Sequence, residues 1–281
     1  MKRKTFGWAC GFVFLMAALV LLPGTAPAEM YVEGYIGGVQ GANAPMNRHI
    51  GDSVSIDIGQ TTLSAAFGTG RIPGRLDPAV IGGLKIGTWF VKEGFLGANY
   101  PDWMKYFGFY LDFMVHRLDF KRQNIPALAA ASITGEVTVT AFSNSPATFW
   151  SEGFAPTLAF MFAGRYGFLP DSEVPFGRLQ PYLAVGPGIL FASQQPSFSI
   201  QSLGVNSKLE SNSTVAVCLA AEAGVRWMCL KNVSLDLSFK YRYAQPYFHY
   251  NFVSAFGHNA SLSLDPTLHL FSGQLGVAYH F

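Results

Sequence analysis

Charged residues are scarce in this chain: Asp, Glu, Lys and Arg make up 13% of 281 residues. A soluble domain ordinarily carries about 25%, so few residues are left to wet an ordinary protein surface. Long apolar runs are scarce too. A membrane helix needs about 20 consecutive apolar residues, and beyond the N-terminus no such run occurs. That excludes a bundle of membrane helices as the home of a 50% hydrophobic content. Cysteine is nearly absent, at positions 10, 218 and 229. If the segment from Cys218 to Cys229 is extended, its eleven steps span roughly 36 Å. A disulfide needs Cα atoms within about 7 Å, so these residues are expected as two free thiols, with no metal site.

What is present begins with a leader. Lys2, Arg3 and Lys4 precede an apolar core over residues 7–22, and Ala26-Pro27-Ala28 follows as a small-residue cleavage site. This pattern predicts a signal peptide over 1–28, cleaved after Ala28. Pro23-Gly24 argues against an uncleaved anchor helix, and Cys10 lies too early in the apolar core to mark a lipoprotein. Cleavage removes three basic residues and no acid, leaving 16 basic against 17 acidic residues. A nucleic-acid partner therefore has no electrostatic footprint here.

The rest of the chain alternates. In the closing run from Phe271 to Phe281, odd positions carry Phe, Gly, Leu, Val, Tyr and Phe, while even positions are small or polar. A soluble antiparallel sheet shows the same pattern, so the contents of the polar face must discriminate. Val233, Leu235, Leu237, Phe239, Tyr241 and Tyr243 alternate with Ser234, Asp236, Ser238, Lys240 and Arg242. A Lys or Arg facing lipid at mid-bilayer costs about 2–4 kcal/mol, so the charged face must point inward. Six more segments follow the same parity, near residues 31–39, 84–90, 107–116, 158–168, 179–191 and 215–227. Between the eight segments the gaps run roughly 40, 13, 35, 10, 22, 4 and 25 residues, the long–short order of outer loops and inner turns.

The expected fold is therefore all-β: an eight-stranded antiparallel up-and-down transmembrane barrel over residues 29–281. Long outer loops fall at about 40–81, 120–155, 193–213 and 245–267. The loops are not featureless, since 53–67 and 132–142 also alternate. They are read as hairpins extending beyond the membrane, because Asp52, Asp57 and Glu136 interrupt their apolar faces; a ten-stranded barrel is the alternative. Trp150, Phe168, Trp227, Tyr241, Tyr243 and Tyr279 are read as interfacial girdles.

The leader, the opening Tyr31-Val32-Glu33-Gly34-Tyr35-Ile36-Gly37-Gly38, the run Gln180-Pro181-Tyr182-Leu183-Ala184-Val185-Gly186-Pro187-Gly188 and the aromatic last strand together resemble the OmpA-type family of small outer-membrane barrels. The resemblance covers nearly the whole mature chain. It implies residence in the bacterial outer membrane, among its lipids and lipopolysaccharide. It also implies that the C-terminal Phe281 resembles the signal read by the outer-membrane assembly machinery. Larger relatives carry a peptidoglycan-binding domain after the barrel; here the sequence ends on the last strand, and that role is not expected.

The predicted lumen holds Glu33, Lys85, Asp112, Arg165, Glu222, Arg226, Asp236, Lys240 and Arg242. Buried charges are costly without partners, so an ion-pair network is expected to close the barrel, which at eight strands is just wide enough for side chains to fill it. The leading expectation is a structural or surface-interaction protein without a cofactor. A small-solute channel is the alternative, and a lipid-modifying enzyme ranks below it. Catalysis would need a nucleophile near His and an orienting acid. The candidates are His116 with Asp112 and His258 with Ser261, spacings that arise easily by chance. Gly257-His258-Asn259-Ala260-Ser261 only superficially approaches a lipid A deacylase motif. Neither a phosphate loop nor a cluster of Ca²⁺ ligands is found; Gly186-Pro187-Gly188 falls within a strand.

Overall fold

A computed structural model describes residues 29–281 apart from 52, 59–60, 68–69, 92–99, 135–138, 201–204 and 254–258. The predicted leader, Asp52, Glu136 and His258 lie outside the described residues. The strands, in chain order, are β1 (Glu29–Gly41), β2 (Met46–Gly51), β3 (Ser53–Ile58), β4 (Thr61–Phe67), β5 (Gly70–Ile72), β6 (Ala79–Trp89), β7 (Phe107–His116), β8 (Phe120–Thr134), β9 (Val139–Phe154), β10 (Thr157–Arg165), β11 (Leu179–Ile200), β12 (Val205–Lys208), β13 (Asn212–Leu230), β14 (Val233–Ala244), β15 (Phe248–Val253), β16 (Asn259–Leu264) and β17 (Leu268–His280).

Eight of them close a ring. β1, β6, β7, β10, β11, β13, β14 and β17 pair antiparallel in that order, and β17 returns to β1. The closing register runs from Tyr31 opposite His280 to Gly41 opposite Leu270. Closure leaves the ring no free edge; its one interruption between β10 and β11 falls at Phe160–Met161, opposite Gly186–Pro187, where the proline has no N–H to give. Because successive side chains point to opposite faces, the sequence alternation becomes an inside-out protein. Lys85 and Lys240 are buried, while Leu183 and Val217 are 70% and 79% exposed. One end of the ring holds Glu29, the first described residue, with Phe281 and the connections to β7, β11 and β14; it is called the near end below.

At the far end the strands outrun the ring. β11 and β13 are 22 and 19 residues long, and β9 pairs with β11 along Ser193–Ser199, beyond the stretch that β10 occupies. β8 pairs with β9, β4 with β8, and β3 with β4. A second sheet runs β15–β16–β2–β5. These strands form a cap and do not enter the ring, so eight strands, not ten, enclose the lumen. Inside the cap Met46, Ile72, Phe120, Phe149, Phe248 and Leu264 share one core with Tyr35, Val39, Ile81 and Met114 of the ring. An apolar core therefore stands directly on the far mouth of the lumen.

One sequence-based boundary and one residue assignment shift. The second ring strand begins at Ala79 and ends at Trp89, which leaves Phe90 outside it. Within the long segment 40–81 the hairpin expected over 53–67 is present as β3 and β4, and β2 and β5 are added to it. Trp150 sits on β9 in the cap, with the Arg122 guanidinium 4.3 Å over its ring, so it is no part of a girdle on the ring wall. Trp227, Phe168 and Tyr279, by contrast, are exposed near the ends of ring strands.

Candidate functional site

The lumen is built by cross-strand pairing of opposite charges at inward positions. Glu33 on β1 lies opposite Lys85 on β6, and Lys85 lies opposite Asp112 on β7. On the other side Glu222 of β13 lies opposite Lys240 of β14, and Arg226 opposite Asp236. Such pairs attract across neighbouring strands, and the narrow bore lets them also reach across the barrel.

The middle tier is one connected cluster. The Lys85 ammonium lies 2.8 Å from Glu33, 2.7 Å from Glu222 and 3.9 Å from Asp236. Lys240 lies 2.8 Å from the other Glu222 oxygen and also contacts Asp112. Arg226 reaches Glu33 at 2.8 Å and Asp236 at 3.3 Å. Four tyrosines fill the remaining space. Tyr35 donates to Asp112 at 2.6 Å and Tyr110 to Glu222 at 2.9 Å. The Tyr182 hydroxyl lies between Glu222 and Asp236 at 2.7 and 2.8 Å. The Arg226 guanidinium lies 4.3 Å over the Tyr31 ring. Taking an ion out of water costs several kcal/mol even after relaxation. Here each carboxylate faces at least one cation, and Glu222 faces two cations and two hydroxyls, which offsets that cost. Glu33 and Lys240 are 0% exposed, so solvent reaches neither.

Below the cluster, at the near end, the Arg165 guanidinium grips both oxygens of Glu29 in a bidentate pair and bonds Gln180 at 3.0 Å. It also stacks over Trp89 at 4.1 Å. His280 bonds Ser234 at 2.9 Å beside it, at the near mouth. Above the cluster Arg242 is buried and bonds Thr157 at 3.1 Å. It makes no ion pair with a described residue, so eight of the nine charged positions join ion pairs and Arg242 stands apart.

Trp89, Tyr110, Gln180 and Tyr182 stand on the inward parity that the sequence assigns to their segments, whereas Glu29, Tyr31 and Tyr35 are additions to the expected lumen. Positions 29, 31, 33 and 35 share one parity, and the same rule that placed Glu33 inside places Glu29, Tyr31 and Tyr35 there.

Of the nucleophilic candidates, Asp112 and His116 have other partners. Asp112 accepts from Tyr35 and Lys240, and the His116 ring bonds the Arg117 carbonyl through Nδ1 at 2.7 Å. Ser261 is on β16 in the cap. Cys218 is buried and Cys229 exposed, both as free thiols. Phe281 donates its backbone N–H to the Met30 carbonyl at 2.9 Å and packs edge-on against Tyr279.

No family model and no curated protein sequence matches the chain. Among solved structures, the outer membrane protein OprG from Pseudomonas aeruginosa is similar at 13% identity, with 92% of this chain and 98% of that one covered and a TM-score of 0.41. Neisserial surface protein A is similar at 11% identity, covering 90% and 97%, with a TM-score of 0.34. The outer membrane protease OmpT from Escherichia coli is similar at 10% identity, covering 91% and 97%, with a TM-score of 0.46. The likeness is to small outer-membrane barrels in general and singles out no OmpA-type protein.

Proposed function

We propose that this chain is an integral barrel of the bacterial outer membrane whose lumen is closed and whose role lies in the cap it presents outside the cell. The observation that carries this reading is the double seal. A buried charge cluster fills the ring, and an apolar core sits on its far mouth. A conducting pore needs a water path, and solvent does not reach the side chains at the centre of this one. The exposed wall of Leu, Val and Phe matches the hydrocarbon it would face. The partners of the wall are membrane lipids and lipopolysaccharide, and Phe281 serves the assembly machinery as its recognition residue. No observation favours a catalytic role.

Purified protein in planar bilayers is the test. The expected record is flat. A steady conductance that changes with Arg226→Ala or Lys240→Ala would refute the closed lumen. Placement in the membrane is tested separately by cell fractionation and by gel mobility before and after heating. A soluble product with no heat-dependent shift sinks the barrel itself.

A further inference from the structure

The outer wall of the ring is not uniformly bulky. Outward positions of β13 carry Val215, Val217, Leu219, Val225 and Trp227, but between them stand Ala221 and Ala223. Ala221 lies between Val185 and Tyr241, and Ala223 between Leu183 and Phe239. Neighbouring strands are about 4.8 Å apart, so these walls rise about 10 Å from one another over a floor of methyl groups, the width of one alkyl chain between side chains. A second trough runs alongside. Gly164 on β10 lies between Phe107 and Leu183, so Leu183 forms the ridge between the two. Together they make an outward-facing concavity of about 1370 Å³, larger than the 300–1,000 Å³ typical of a small-molecule site.

A cation stands just outside its near end. Tyr106 and Tyr166 line the concavity there and stack on each other at 5.8 Å. The Lys105 ammonium stands 5.3 Å from the Tyr106 ring centre. Lys105 is exposed and makes no ion pair among the described residues. Two adjacent apolar troughs, with one lysine beside the tyrosines that bound the nearer of them, match a molecule with two hydrocarbon tails and one phosphate.

Resting on the membrane placement above, we propose that this face is a binding site for one diacyl phospholipid of the leaflet on the near side, an acyl chain in each trough and the phosphate on Lys105. Lipid elsewhere on the wall exchanges freely; this one is held.

The experiment uses the full barrel, extracted in mild detergent, exposed to vesicles of phosphatidylglycerol and phosphatidylethanolamine, and weighed intact by native mass spectrometry. One phospholipid per barrel is expected to survive the removal of detergent. Ala223→Phe and Gly164→Leu, which fill one trough each, should cut the retained fraction about tenfold, a loss of roughly 1.4 kcal/mol in affinity. Lys105→Gln should weaken retention of phosphatidylglycerol. Val217→Phe, outward on β13 but outside the concavity, should change nothing. Equal retention in the trough variants and wild type overturns the site. So does an equal loss in Val217→Phe. Heat-dependent gel mobility is read on every variant: if it persists while lipid retention fails, the site is wrong and the barrel stands.

Discussion

Glu222 is the hub of the lumen, and replacing it tests whether the cluster holds the barrel together. Its two oxygens lie 2.7 and 2.8 Å from the ammonium groups of Lys85 and Lys240, and the hydroxyls of Tyr182 and Tyr110 lie 2.7 and 2.9 Å away. Glu222→Gln keeps the volume, removes the charge, and turns an N–H₂ group towards one of these donors. Lys85 keeps Glu33 and Lys240 keeps Asp112, so neither cation is stranded, yet each loses its shared counter-charge in a site closed to solvent. Removing one partner of a buried pair costs about 3–5 kcal/mol. With a urea slope of about 2–3 kcal/mol per molar, the unfolding midpoint of the detergent-solubilised barrel should fall by about 1–2.5 M.

The double variant with Lys240→Met supplies the sharper arm. If the two side chains interact as drawn, the cycle should give a coupling of about 0.5–3 kcal/mol, because the second change removes a cation already deprived of its partner. A midpoint shift below about 0.3 M for Glu222→Gln, or strictly additive effects in the cycle, would refute the claim that direct pairing closes the lumen.

Two further outcomes probe regions outside the ring. Phe149 is fully buried in the cap, 6.4 Å from Phe120 and 5.2 Å from Phe198 between ring centres. Phe149→Ala should cost the cap about 3–5 kcal/mol, raising its cleavage by added protease while the ring keeps its heat-dependent mobility; loss of that mobility would show that the ring needs the cap to form. At the near end Asp171 accepts the backbone N–H groups of Glu173 and Val174 and pairs with Arg178, which together hold its carboxyl below the ordinary range. A depressed folded value means the turn is fully stabilised above the ordinary carboxylate pKa of about 3.9 and loses that support as pH falls through the lower folded value. Exchange protection of the Val174 amide, corrected for its intrinsic rate, should therefore drop in acid, and Asp171→Asn should abolish the pH dependence.

The ring was legible in the sequence because lipid and lumen impose opposite demands on alternate residues. A lysine such as Lys240 between Phe239 and Tyr241 has one tolerable direction, and that direction fixes the parity of its whole strand. The ladder from Tyr31 opposite His280 onward then follows from closure. The cap was less legible because its strands answer a different constraint. β8, β9 and the sheet of β15, β16, β2 and β5 bury one face against a core shared by several loops, and no local rule in a loop says which other loop will supply its partner. Trp150 illustrates the loss: its aromatic character was read as a membrane boundary, whereas its place on β9 belongs to tertiary pairing. Within the lumen, parity placed each charge inside, but the choice of partner needed strand register and the width of the bore, neither of which is written in one strand.

The inward glycines connect those levels. A Cβ added at Gly87 would come within 2.7 Å of the Tyr31 ring and of the Tyr110 Cβ, and one at Gly224 within 2.6 Å of the Tyr182 ring and hydroxyl. In the sequence such glycines read only as small residues on the polar face. In the structure they are the spaces into which the tyrosines lie, and the tyrosine hydroxyls then reach Glu222 and Asp236. A charge cluster alone could pair in several ways, since four carboxylates and three cations stand within one narrow bore. Rings wedged against bare backbone restrict which oxygens face which donors, so packing selects the pairing and the pairing in turn keeps water out. A close-packed interior is felt at the level of a single methyl group, and here that sensitivity falls on the polar contents of a barrel instead of on an oily core.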